Sequence, residues 1–133
     1  MLFAAIFLIC FVLLGILTLW LSKNVEHGEA QFDTRTALTV VMAANGYPGT
    51  PKKGGAIDLG ASEEGGAKIF HAGTSMQDGK LVASGGRVLN VTALGSNVTE
   101  AQAAAYSAVD AVGFPSGFCR RDIGWREVER EAG

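Results

Sequence analysis

Arg87 is the residue of this chain best equipped for ligand chemistry. It follows Gly85 and Gly86, which would let the backbone approach a ligand closely. Its guanidinium fork can hold a phosphate through two parallel hydrogen bonds. The blander alternative is a strand-edge arginine paired with a local carboxylate, and spacing alone favours it. His71 closes an apolar run, where a packed or hydrogen-bonded imidazole is commoner than a ligand contact. His27 and His71 are the only histidines, too few for a His-based metal site or a Ser/His/Asp or Cys/His arrangement. Gly49–Gly54 has the glycine spacing of a phosphate-cradling loop, but Gly55 stands where the lysine must be and no Ser or Thr follows it. A surface loop is the better reading there. Residue types alone assign no catalytic residue and no metal site.

The elements that must position these residues follow from periodicity. Ala37–Ala44 is a short apolar run ended by Asn45-Gly46 and Pro48-Gly49, a buried strand and its turn. A long loop follows, with a short strand expected around Ala56–Leu59. Lys68–Ala72 and Lys80–Ser84 read as strands, the second opened by the hairpin signal Asp78-Gly79. Gly85-Gly86 breaks or bulges that strand, and Arg87–Leu94 continues the sheet. The period then changes. Asn97 can cap a helix with Glu100 three residues on. Val98, Ala101, Ala105, Ala108, Val109 and Val112 recur at helical spacing until Gly113. Arg120-Arg121-Asp122 is expected to form local ion pairs. The fold class is α+β: a small, mostly antiparallel sheet domain with one packed helix.

Charge divides the chain. All 24 charged residues lie at or beyond Lys23, and 19 of the first 21 residues are apolar. A helix over Leu2–Leu21 would reach roughly 30 Å, the thickness of a bilayer core. The expected organisation is therefore a transmembrane-like helix over 1–22, a linker over 23–36, a domain over 37–126 and a polar tail over 127–133. Lys23 and Arg35 follow the span and no basic residue precedes it, which places the domain in the cytoplasm, anchored through lipid contacts of residues 2–21. A net charge of −2 gives no basic stripe for nucleic acid. Cys10 and Cys119 fall in unlike segments, so reduced thiols are the simpler reading.

Five stretches, in order, resemble one enzyme family: Ala37–Gly49, Ile69–Thr74, Gly85–Gly95, Ala101–Val109 and Arg120–Arg126. Together they look like the C-terminal domain of glycinamide ribonucleotide synthetases, also called phosphoribosylamine–glycine ligases, in the ATP-grasp group. The resemblance spans Ala37–Arg126. It implies an enzyme that joins glycine to 5-phosphoribosylamine with ATP and Mg²⁺ (or Mn²⁺) in purine synthesis. It also implies that Arg87 lies near the ribose-phosphate, with Gly85 and Gly86 permitting close approach and His71 on a neighbouring strand. Nothing resembles the family's ATP-grasp lobes, so the chain is expected to bind no cofactor itself and to be inactive alone. A separately encoded ATP-grasp core is then its expected partner. The alternative function is a membrane-anchored, non-catalytic interaction module.

Overall fold

The computed structural model describes residues 13–20 and 31–133, and the chain divides into two units, 1–32 and 33–133. The second unit runs β1 (Thr36–Ala44), β2 (Lys68–His71), β3 (Thr74–Gln77), β4 (Lys80–Ala83), β5 (Arg87–Gly95), α1 (Val98–Ala111), β6 (Gly117–Cys119) and α2 (Trp125–Ala132). An antiparallel sheet in the order β2-β5-β1-β6 forms its centre, beside a β3-β4 hairpin. The α+β antiparallel expectation holds.

Alternation decides the sheet's two faces. Leu38, Val40 and Met42 of β1 stand opposite Ala93, Val91 and Leu89 of β5, and all six are buried beneath α1. Ile69 of β2 joins them opposite Val91. Burying each of the larger aliphatic side chains is worth about 1.5–3 kcal/mol. α1 turns Ala101, Ala105, Ala108 and Val109 to this layer, and the small side chains let the helix lie close to the strands.

Local chemistry fixes the ends. Asn97 Oδ1 accepts the Glu100 N–H at 2.8 Å, the expected cap. Glu100 reaches back to the Ser96 N–H at 2.9 Å, one residue earlier than a standard capping box. The helix stops as Gly113 exchanges backbone hydrogen bonds with Asp58, at 2.7 and 2.8 Å. That pairing and the Ala56–Val82 bridge are isolated, so no strand forms over 56–59 where a short one was expected. In the β3-β4 hairpin, Asp78 and Gly79 take φ of 48° and 74°, as a tight two-residue turn requires.

Trp125–Ala132, read from sequence as the end of the domain and its tail, is helical, so two helices accompany the sheet. α2 buries no side chain. Polar bonds tie it and the preceding turn to α1. Glu131 accepts the Val98 N–H at 2.8 Å, the Thr99 N–H at 3.0 Å and the Thr99 hydroxyl at 2.7 Å. Gln102 donates to the Ile123 carbonyl at 2.7 Å, and the Tyr106 hydroxyl joins the Arg120 carbonyl to the Ile123 N–H. Gly124, at φ 80°, sits where a Cβ would lie 2.8 Å from Leu38.

The transmembrane expectation is corrected. Among the described residues no helix is long and apolar enough to cross a membrane. Residues 1–12 and 21–22 of the expected span lie outside the described residues, as do His27 and Lys23. The membrane anchor and the lipid contacts of residues 2–21 are withdrawn with the span. The cytoplasmic placement was derived from its flanking charges and goes with it.

Candidate functional site

A one-residue irregularity in β5 builds the site. From Thr36 to Met42 the β1 residues pair in step with Gly95 down to Leu89, but Ala43 pairs with Arg87. Val88 is therefore an extra residue, a bulge. In an unbroken strand Arg87 would share the buried face of Leu89, Val91 and Ala93; the bulge turns it to the other side. The expected break at Gly85-Gly86 is present, between the end of β4 at Ala83 and the start of β5 at Arg87, and the bulge at Val88 is a second irregularity beyond it.

Arg87, Ala43 and Phe118 form one row across β5, β1 and β6. Ala43 is small, so the row dips at its centre. A cavity of about 300 Å³ occupies the dip, with Thr39, Val41 and Ala43 beneath and Tyr47, Phe118, Cys119 and Ile123 around it. Arg87 and Arg120 supply its charge. Tyr47 is held in place from behind: a Cβ on Gly86 would lie 2.5 Å from its ring. The room that Gly86 frees is thus taken by Tyr47 and Pro51 of this same chain. Gly85 serves a different approach, its Cα facing Gly73, whose N–H donates to the Arg87 carbonyl at 2.9 Å.

The two arginines differ electrically. Arg120 forms a two-pronged pair with Asp122, at 2.9 and 2.5 Å, and this hydrogen bonding lowers the Asp122 pKa. Arg121 pairs with Asp110 of α1 at 2.6 Å and lies over the Tyr106 ring. Arg87 is exposed, and among the described residues no ion pair, side-chain hydrogen bond or ring contact engages its guanidinium. The carboxylate partner of the bland sequence reading is not found there.

His71 lies opposite Leu89, so the register sets it on the helix side of the sheet, at the β2 edge. Its Nδ1 is 3.1 Å from the Thr74 hydroxyl. The fold therefore puts His71 on a strand next to Arg87 and on the opposite face. Tyr47 and Phe118 were not singled out from sequence. Phe118 sits in a three-residue strand, too short for periodicity to reveal. Among the described residues, no group of three or more His, Cys, Asp or Glu could hold a metal ion.

Comparisons with known proteins converge. Residues 37–126 match the family model "Phosphoribosylglycinamide synthetase, C domain". Phosphoribosylamine–glycine ligase of Mesorhizobium japonicum is 53% identical over 122 residues, which cover 90% of this chain and 28% of that protein. The ligase of Escherichia coli is 50% identical over 111 residues, 82% of this chain and 26% of that protein. A crystal structure of the Thermotoga maritima ligase superposes with a TM-score of 0.60 at 46% identity, covering 65% of this chain and 21% of that one. The chain thus spans little more than a quarter of the length of the curated relatives it matches. Residues 37–133 are under three quarters of the chain, so a match covering 90% reaches into residues ahead of Ala37.

Proposed function

The chain belongs to the phosphoribosylglycinamide synthetase C-domain family, and from that membership we propose that it serves as the C-terminal domain of a phosphoribosylamine–glycine ligase. The reaction proposed is the ATP-dependent joining of glycine to 5-phosphoribosylamine, in purine synthesis. The observation that carries this reading is the match over residues 37–126 together with identities of about half to the named ligases. In this proposal ATP and Mg²⁺ belong to ATP-grasp lobes outside the domain. The domain works with those lobes and makes no product by itself.

Arg87 is proposed as the contact to the substrate phosphate. Support comes from its exposed guanidinium, which no carboxylate engages among the described residues, and from the bulge that turns it out of the core. Gly85 and Gly86 shape the turn before it by admitting Gly73 and Tyr47. His71, across the strand, is secondary in this reading.

The test is complementation. The purified chain, mixed with a homologous ligase from which this domain has been removed, is expected to restore ATP-dependent formation of glycinamide ribonucleotide, while either piece alone gives none. No recovery from the mixture would overturn the proposal. At the site, Arg87→Ala is expected to raise KM for phosphoribosylamine more than KM for ATP in the complemented enzyme.

A further inference from the structure

We infer that the open face of the β2-β5-β1-β6 sheet is the surface on which the rest of the ligase docks, with the substrate phosphate at Arg87 enclosed between the two. The inference rests on the reading of Arg87 as the phosphate contact and goes beyond it by assigning the surface the partner covers. Composition singles out this face first. The outer face of an antiparallel sheet in water is ordinarily polar. Here each of the four strands places one large apolar side chain on it: Phe70 of β2, Leu94 of β5, Val41 of β1 and Phe118 of β6, between 38% and 54% exposed. A face that interleaves such residues with Thr39, Thr92 and Asn90 has the make-up of a protein interface.

Substrate geometry decides which partner covers it. The phosphate and the amine of 5-phosphoribosylamine lie at opposite ends of one ribose, so with the phosphate on Arg87 the amine is at most a sugar's length away. Joining it to glycine requires the amine within about 3–3.5 Å of the glycine carboxyl carbon. This chain matches only 28% of the Mesorhizobium japonicum ligase, and the lobes proposed to hold ATP belong to the remainder. That remainder must therefore come within a sugar's length of Arg87. It can do so only from the side to which the bulge turns Arg87, because α1 covers the other. Val41 and Phe118 border the Arg87 cavity, and Phe70 shares a row with Val41 across Asn90. A standard interface covers about 800 Å² per partner, so a partner seated on Arg87 spans strands set about 4.8 Å apart from one edge of the sheet to the other.

The experiment compares thiol labelling in this full chain and in the intact Mesorhizobium japonicum ligase. Phe70→Cys and Leu94→Cys are made in each, at matching positions, with Met76→Cys on the β3-β4 hairpin as the control, and mass spectrometry follows the maleimide adduct at each site. The cysteines at 70 and 94 are expected to label at least about tenfold more slowly in the ligase than in the chain alone, while the cysteine at 76 labels alike in both. Equal labelling at 70 and 94 in the two proteins would overturn the docking face and leave the phosphate reading of Arg87 standing. Slow labelling already in the chain alone, relieved by dilution, would give the face to a second copy and overturn the inference too. Slow labelling confined to the ligase, together with an Arg87→Ala variant of it whose KM for phosphoribosylamine is unchanged, would uphold the docking face and overturn the phosphate contact.

Discussion

The two faces of the four-stranded sheet come from the same strands and meet different demands. On the helix side, Leu38, Val40, Met42, Leu89, Val91 and Ala93 are sealed beneath α1. On the other side, Thr39, Val41, Asn90, Thr92, Phe70 and Phe118 alternate with them, and Val41, Phe70 and Phe118 remain exposed. The covered face is answerable to packing, where volume and hydrophobicity decide everything. The open face carries polar groups among apolar ones and holds the candidate site. Stability belongs to one side and recognition to the other, within a single layer of backbone.

The sharpest way to break this division is a pair of truncations on neighbouring strands. Leu89→Ala, at a fully buried position, is expected to lower the unfolding free energy by about 2–5 kcal/mol. Val41→Ala on the open face should cost under about 1 kcal/mol. Urea denaturation followed by circular dichroism measures both, and comparable losses would show that the open face is structural as well.

A smaller effect sharpens the role of the helix layer. Asn97→Ala removes the side-chain cap of α1 and is expected to cost about 1 kcal/mol, with Asn97→Asp recovering most of it. Thermal melts of the three proteins supply the comparison. If the Asp variant melts with the Ala variant, the cap is not what Asn97 contributes.

The gentlest probe is pH. The Glu131 carboxyl is held below the usual carboxylate range, first by the Thr99 hydroxyl and then by the Val98 and Thr99 amides. Near pH 4 the unfolded chain, with glutamate at about 4.3, binds the proton more readily than the folded one. The stabilisation from Glu131 is thus present above the unfolded value and lost as pH falls through the folded one. Solvent screening keeps it modest because the group is exposed. Glu131→Gln is expected to flatten the acid limb of the stability–pH curve, and an unchanged limb would show that α2 is held by its other bonds.

What could be read from the residues alone was local. Asp78-Gly79 announces its turn because only certain residues take positive φ at both positions. Asn97 announces its cap because the hydrogen bond spans three residues. β1 was legible as a buried strand from its apolar run, and the alanine face of α1 from its helical spacing. The candidate cavity was not, because it needs β6 beside β1 and Tyr47 over Gly86, and neither neighbour is encoded nearby. Glu131 was missed for the same reason: it caps a helix that starts 33 residues earlier. The apolar leader suggested a span by its hydropathy, but among the described residues no helix is long and apolar enough to cross a membrane.

Val88 has a consequence for how this domain tolerates change in length. Because it is the odd residue in a strand otherwise counted in twos, it acts as a parity bit for everything before it. Deleting it would keep every other residue and still send the Arg87 charge beneath α1. Adding one residue between Val88 and Leu89 would do the same. Substitutions here alter the site by degrees, whereas insertions and deletions invert it, so the chemical side of this sheet is specified by a count as much as by a composition.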